Sequence, residues 1–174
     1  MSDDHRAVRR TGLGMMLLFW MLFIGAGTWW FHGFLEEQRN PNAHLVNAVE
    51  GESSVVLERN RAGHFLATGR INGEPVEFLL DTGATYVAVS SGLAERLGLE
   101  ATGSAWFNTA NGRVRGELTT LDEVSLGGFA AREVRGSISP GMEGDVALLG
   151  MSFLNRFDIE IRDARMVLHP ARAN

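Results

Sequence analysis

The hydrophobic pattern of the chain begins with one long apolar segment and continues as short apolar runs separated by polar turns. Residues 12–35 contain no Asp, Glu, Lys or Arg. A helix of two dozen residues rises ~1.5 Å per residue, so it spans the ~30 Å hydrocarbon core of a bilayer. We therefore predict a transmembrane anchor over residues 12–35 that contacts membrane lipid.

The residues at the two ends of this segment predict its orientation. Residues 1–11 contain three arginines, whereas only Arg39 follows the segment closely. The positive-inside rule then places the N-terminal tail, residues 1–11, in the cytoplasm. Trp-Trp-Phe at 29–31 is typical of the far membrane interface. We expect a single-pass protein of the inner (cytoplasmic) membrane whose folded domain lies in the periplasm.

A cleaved signal peptide is the alternative interpretation of this segment, because a short basic stretch precedes it. The apolar run is longer than the core of a typical signal peptide. Its cluster of small residues at 25–27 is followed by Trp-Trp-Phe and not by the polar start of a mature protein. We therefore favour an uncleaved anchor.

After a polar spacer predicted at 36–54, the pattern changes to short runs rich in Val, Ile, Leu and Phe, which are typical of β-strands. Asn-Gly at 72–73, between two such runs, predicts a tight hairpin. Two short helices are predicted, one at 92–97 and one after Gly150. The predicted strands cover residues 55–59, 64–71, 76–80, 87–89, 105–110, 113–121, 124–129, 134–138, 157–161 and 166–168. We predict a mainly β domain over residues 55–174.

An acidic residue interrupts the apolar pattern between the strands predicted at 76–80 and 87–89. Asp81, Thr82 and Gly83 form a polar turn between these two apolar runs. A carboxylate beside the core is costly to ionise without hydrogen-bond partners, and Gly83 lets a backbone amide approach it. This pattern indicates a candidate catalytic carboxylate, with an ordinary Asx-type turn as the simpler alternative.

Two separated motifs resemble those of the retropepsin-like aspartic proteases. Residues 79–84 read Leu-Leu-Asp-Thr-Gly-Ala, and Leu148, Leu149 and Gly150 follow tens of residues later. The resemblance covers about residues 53–170 and is to the bacterial, membrane-anchored members. It implies an all-β fold, a retropepsin-like closed β-barrel that forms one half of an acid protease, with two short helices and one transmembrane helix before it.

The resemblance also implies a role for each residue of the motifs. Asp81 is the expected catalytic residue, and Thr82 and Gly83 are expected to support the active loop. The hairpin around 111–112 is the expected flap, a mobile hairpin that closes over substrate; an ordinary exposed hairpin is the alternative. The expected substrate contacts are Ala84, Thr85, Asn111 and Gly112, and the expected structural step behind the site is Leu148, Leu149 and Gly150.

Some positions leave alternatives open or depart from the viral members of the family. Trp106 and Phe107 fit either the core or a substrate pocket, and the core is the simpler interpretation. Thr85 stands where viral members usually carry Asp, and Met151-Ser152 stands where they carry Arg. The Arg–Asp pair that helps hold their dimers together is therefore missing, so we expect a different dimer interface.

Composition excludes several other classes of function. The 174 residues include no cysteine, which excludes disulfides, thiolate metal sites and a thiol nucleophile. The net charge of −5 and the absence of a basic stripe disfavour nucleic acid as a partner. We expect neither a metal nor an organic cofactor.

The expected chemistry constrains the number of chains. Peptide hydrolysis of this type uses two carboxylates that share a proton. The chain contains one Asp-Thr-Gly, and Asp145 lacks the Thr-Gly that would make it a second. We therefore predict a homodimeric aspartic endopeptidase, acting on peptide or protein substrates, in which Asp81 meets its symmetry mate on a two-fold axis.

Two other interpretations remain open. The first is a catalytically idle domain of the same fold that binds a peptide or protein partner at the membrane. It predicts a stable monomer, or a dimer whose Asp81 carboxylates lie far apart. The second is a structural membrane-anchored β-domain in which Asp-Thr-Gly is only a turn. It predicts that Asp81→Ala damages stability and not activity.

Overall fold

The structure is a computed structural model that describes residues 3–48, 53–109 and 112–171. The chain divides into two compact units, Met1–Gln38 and Arg39–Asn174. Helix α1 (Asp3–Arg39) accounts for the first unit. Its described residues contain one candidate membrane span, Gly12–Arg39. The most apolar stretch of this span has a mean hydropathy of 1.6, and none of that stretch is buried. A helix of this length and composition fits either a membrane span or a signal sequence.

The second unit is mainly β, as predicted, and two short α-helices lie between its strands. In the described residues the strands are β1 Val55–Glu58, β2 Leu66–Ile71, β3 Glu74–Leu80, β4 Val87–Ser90, β5 Gly103–Thr109, β6 Gly112–Leu126, β7 Phe129–Ser139, β8 Val146–Leu149, β9 Phe157–Arg162 and β10 Arg165–Pro170. The helices are α2 Ser91–Arg96, α3 Met151–Leu154 and a 3-10 helix, Ala43–Asn47. The 3-10 helix lies inside the spacer predicted at 36–54.

Seven of the strands form one sheet that closes on itself. Their order is β2-β3-β8-β4-β7-β6-β5, and β2 also pairs with β6 through Arg70↔Ser125 and Ile71↔Val124. This pairing closes six strands into a barrel, and β5 extends from β6 beyond the closure. The predicted closed barrel is therefore confirmed. The remaining strands form a smaller antiparallel sheet in the order β1-β10-β9.

Local turn chemistry explains the hairpin that leads into Asp81. Asn72 and Gly73 connect β2 to β3 and both have positive φ, 51° and 86°. A two-residue hairpin turn of this kind matches the right-handed twist of the strands, and Asn-Gly is its preferred sequence. Strand β3 then alternates buried and half-buried residues from Val76 onward, with Phe78 fully buried. The Asn-Gly prediction is confirmed.

A serine cap fixes the first short helix behind the barrel. The Ser90 hydroxyl accepts a hydrogen bond from the backbone N–H of Leu93 at 3.1 Å, which satisfies one of the free donors at the helix start. The same hydroxyl donates to the carbonyl of Gly144 at 2.7 Å. Gly98, with φ 64°, follows the helix end, where the left-handed conformation commonly terminates a helix.

The segment predicted as a polar spacer differs from that prediction. Helix α1 ends just before Pro41, as the proline requires. Asn40, Asn42 and Leu45 are buried, and the 3-10 helix packs against β2. Asn42 donates through Nδ2 to the carbonyls of Glu58 and Leu66, both at 2.8 Å, and accepts from the Glu58 N–H at 2.8 Å. Residues 40–48 therefore belong to the folded domain.

Strand β6 is also longer than predicted. The runs at 113–121 and 124–129 were separate strands in the prediction, whereas β6 continues unbroken from Gly112 to Leu126. The N-terminal part of β6 pairs with β5 and its C-terminal part pairs with β7, so this one strand belongs to two hairpins. The first pair of the β5–β6 hairpin is Thr109↔Gly112, which places Gly112 in a strand.

Candidate active site

The loop after β3 holds Asp81 in a defined orientation. Asp81 is half-buried, while Thr82 and Gly83 are exposed. The backbone N–H of Gly83 donates to Oδ1 of Asp81 at 2.8 Å. The N–H of Ala84 donates to the carbonyl of Asp81 at 3.1 Å, which closes a tight turn. The carboxylate is thus oriented by its own loop and still reachable from solvent.

The second motif lies directly beside this loop. Strands β3 and β8 are parallel neighbours, with Leu79↔Leu148 and Leu80↔Leu149 in register. The N–H of Asp81 donates to the carbonyl of Leu149 at 3.2 Å. Two segments almost seventy residues apart in sequence therefore meet where the carboxylate leaves the sheet.

Gly150 allows the active loop to pack tightly against the start of α3. A Cβ at this position would collide with the carbonyl oxygen of Tyr86 and lie 2.7 Å from that of Ala84. The N–H of Met151 donates to the Ala84 carbonyl at 2.8 Å, and that of Ser152 donates to the Thr85 carbonyl at 2.9 Å. The first turn of α3 thereby uses its free N–H groups to hold the loop.

Ser152 adds a contact that the sequence did not predict. Its hydroxyl accepts from the backbone N–H of Val87 at 3.1 Å and donates to the carbonyl of Arg135 at 2.7 Å. The side chain thus joins the end of the active loop to strand β7. The available signal was its place two residues after Gly150, where the chain departs from the viral pattern.

The β5–β6 hairpin has two chemically different faces. Ala105, Phe107 and Val114 are half-buried on one face, and the ring of Phe107 contacts that of Tyr86 edge-to-face with centroids 5.9 Å apart. Trp106 lies on the other face, 60% exposed, with the Arg113 guanidinium 5.0 Å from its ring centroid. The interpretation of Trp106 as a core residue is wrong, because its position in the strand points it away from the barrel.

Asn111 and Gly112 are two of the expected substrate contacts. Asn111 lies outside the described residues. Gly112 is exposed and begins β6. Because Phe107 contacts Tyr86, the structure does bring the middle of the hairpin to the residues that follow the active loop.

Asp145 lies in an exposed loop and not beside Asp81. It forms an ion pair with Arg96 at 2.9 Å, and its side chain is 72% exposed. Among the described residues no group of three or more His, Cys, Asp or Glu is placed to bind a metal ion. Among the described residues of one chain, Asp81 is the carboxylate that the barrel presents where residues 79–84 meet residues 148–150.

A family model and two known sequences are similar to this chain. The family model described as "gag-polyprotein putative aspartyl protease" matches residues 67–156, which include Asp81 and Gly150. An uncharacterized protein in the cobV 5′ region of Sinorhizobium sp is 32% identical over 120 residues, 67% of this chain and 52% of that protein. An uncharacterized protein of Rickettsia prowazekii is 30% identical over 106 residues, 59% of this chain and 45% of that protein. The chain thus spans about half the length of the curated relatives it matches.

Two solved structures are similar to this chain. The crystal structure of a retropepsin-like aspartic protease from Rickettsia conorii has a TM-score of 0.57 and 31% sequence identity, covering 68% of this chain and all of that chain. EIAV protease in complex with the inhibitor HBY-793 has a TM-score of 0.47 and 21% identity, covering 55% of this chain and 89% of that chain.

Proposed function

Because the chain belongs to the family of retropepsin-like aspartic proteases, we propose that it is a membrane-anchored aspartic endopeptidase that works as a homodimer. The observation that carries this proposal is the position of Asp81. It follows β3 at the junction with β8, accepts the Gly83 N–H and is half-buried. A carboxylate held in this way has a free edge for a water molecule or a substrate carbonyl.

The proposed reaction needs a second carboxylate from a second chain. One carboxylate takes a proton from water while the other, protonated, donates a hydrogen bond to the peptide carbonyl. Two carboxylates ~3 Å apart cannot both ionise, so the pair holds one proton between them. Asp145 is tied to Arg96 in an exposed loop, and we assign the role of the second carboxylate to the Asp81 of another copy. A two-fold axis through the active loops brings these two groups together.

The neighbours of Asp81 have supporting roles in this proposal. Gly83 holds the carboxylate, and the exposed Thr82 braces one loop against its mate. The backbone around Ala84 and Thr85 receives an extended peptide as an added strand. Leu148, Leu149 and Gly150 form the step that fixes the loop from behind. The β5–β6 hairpin closes over the peptide, and Asn111 and Gly112 are the residues expected to contact it.

The apolar helix supplies the proposed location. Its span, Gly12–Arg39, is long enough to cross a bilayer. With the arginine-rich tail in the cytoplasm, the domain from Arg39 onward lies on the periplasmic side of the inner membrane. Anchoring confines the chains to a surface, which raises their effective concentration for dimer formation.

The test compares the full chain in detergent with its Asp81→Asn variant. Asparagine has nearly the volume of aspartate but cannot serve as the proton acceptor. Each protein is incubated with a diverse peptide pool, and mass spectrometry identifies new peptide termini. We expect cleavage by the wild type and a loss of at least about 10³-fold in the variant, as is typical when a group acting directly in the reaction is removed. Equal cleavage by both proteins would refute the proposal, as would no cleavage by either.

A further inference from the structure

Tyr86 lies between the active loop and two side chains that the catalytic step does not use. It follows Asp81 by five residues, and its carbonyl packs against Gly150, so its backbone position is fixed. Its half-buried ring contacts Phe107 of the β5–β6 hairpin on one side. On another side the guanidinium carbon of Arg135 lies 5.5 Å from the ring centroid. The ring therefore connects the loop, the hairpin and strand β7.

Arg135 is positioned from both its main chain and its side chain. Its carbonyl accepts the Ser152 hydroxyl at 2.7 Å, and its guanidinium lies against the Tyr86 ring. Among the described residues no carboxylate forms an ion pair with it, in contrast to Arg132 on the same strand, which pairs with Glu123 at 3.3 Å. The Arg135 residue is exposed, and its guanidinium carbon lies over the Tyr86 ring at 5.5 Å from the centroid, which leaves its N–H donors accessible to a ligand. Arg135 is thus a pre-positioned cation for whose donors the described part of the chain offers no acidic partner.

This cation lies beside the expected path of a substrate. A peptide that adds as a strand next to Ala84 and Thr85 passes Tyr86, the next residue along the chain. Side chains of an extended peptide alternate between its two faces, so every second one points toward the barrel. A carboxylate on one such side chain has the charge and the two-oxygen geometry that a guanidinium binds in bidentate fashion.

We propose that Tyr86 and Arg135 form a specificity site for an aspartate or glutamate side chain at one fixed position of the peptide substrate, a proposal that rests on the protease function above. The ring of Phe107 supplies an apolar wall for the methylene part of that side chain. Peptides with lysine or arginine at the same position are rejected, because their charge would approach an uncompensated guanidinium.

The experiment uses the full chain in detergent and the peptide pool, with new termini identified by mass spectrometry. The wild type is compared with Arg135→Glu and with Arg132→Glu, a matched charge reversal on the same strand. We expect Asp and Glu to be enriched at one position relative to the cleaved bond in the wild type and in Arg132→Glu. In Arg135→Glu that enrichment is lost and replaced by Lys and Arg at the same position.

A pair of peptides that differ only by Glu or Lys at that position then quantifies the effect. We expect kcat/KM to favour the Glu peptide by about tenfold or more in the wild type and the Lys peptide in Arg135→Glu, as binding of a charged side chain in one pocket requires. Cleavage without an acidic preference, or a preference that survives Arg135→Glu, would overturn this inference alone. No cleavage by the wild type would overturn the proposed function and this inference with it.

Discussion

Gly150 and Tyr86 are packed so closely that the carbonyl oxygen of Tyr86 occupies the space a Cβ of residue 150 would need. The obstructing atoms belong to the backbone, since the Ala84 carbonyl would also lie 2.7 Å from that Cβ. Neither carbonyl can move without moving the loop that orients Asp81. The small residue of the second motif is therefore a geometric requirement of the active loop.

Gly150→Ala tests this requirement. The added methyl group has to displace the active loop or α3, and overpacking of this kind costs about 1–3 kcal/mol. We expect the free energy of unfolding of the full chain in detergent, followed by chemical denaturation, to fall by about that amount, with loss of peptide cleavage. Gly141→Ala is the matched control, because nothing lies within 4 Å of a Cβ there. A Gly150→Ala protein as stable as this control would contradict the packing argument.

Ser152→Ala is expected to loosen the active loop from strand β7. The substitution leaves the N–H of Val87 and the carbonyl of Arg135 without the hydroxyl that now bonds both. The first of these bonds is part-buried and the second is exposed. A typical hydrogen bond contributes about 0.5–1.5 kcal/mol, so we expect the free energy of unfolding to fall by about 1 kcal/mol. Ser152→Thr retains the hydroxyl and should restore most of the loss, whereas Ser91→Ala, at an exposed position, should change little. The unfolding of all four proteins, including the wild type, is measured by chemical denaturation in the same detergent.

Asn42→Ala tests whether residues 40–48 are part of the folded domain. The Asn42 side chain makes three hydrogen bonds of 2.8 Å to the backbone of Glu58 and Leu66. At about 1 kcal/mol for each bond, we expect the free energy of unfolding to fall by about 3 kcal/mol. Asn47→Ala, at an exposed position in the same segment, is the control. Equal stability of the two variants would show that the segment is a spacer after all.

The same packing predicts where a soluble form of the domain has to begin. A chain starting at Arg39 keeps the ion pair between Arg39 and Glu77 at 2.9 Å, the buried Asn40 and the buried Leu45. A chain starting at residue 53 lacks all of these and exposes part of β2. We expect the longer chain to unfold in one cooperative transition and the shorter one to unfold at lower denaturant concentration. Coincident transitions of the two chains, followed by circular dichroism, would argue against this boundary.

Much of the barrel could be predicted from the sequence because its signals are local. Asn72-Gly73 specifies a turn through the positive φ of two adjacent residues, and Ser90 specifies a helix start through one side-chain hydrogen bond. Asp81 was identifiable for the same reason, since its loop is bounded by apolar runs. The parallel pairing of β3 with β8 has no local signal and was not predicted. The family resemblance supplied only the expectation that Leu148, Leu149 and Gly150 lie behind the site.

Most of the features that the sequence did not predict depend on hydrogen-bond partners that lie far away along the chain. Asn40 and Asn42 lie in a polar stretch that has the composition of a spacer, and only their bonds to β1, β2 and β3 distinguish it from one. Ser152 and Arg135 are seventeen residues apart in sequence and meet because α3 packs behind β7. Trp106 is a large apolar residue of the kind found in cores, but the alternation of side chains along the strand directs it outward.

Mixing wild type with Asp81→Asn tests whether the active site forms between two chains. If subunits exchange freely and a mixed pair is inactive, adding an equal amount of the variant leaves about half of the wild-type chains in active pairs, and a threefold excess leaves about one quarter. We expect peptide cleavage per wild-type chain, measured in detergent after equilibration, to follow these fractions. A protease that is active as a monomer would keep its full rate at every ratio. The same excess of Asp145→Asn, which retains Asp81, should increase cleavage, because its chains form active pairs with the wild type.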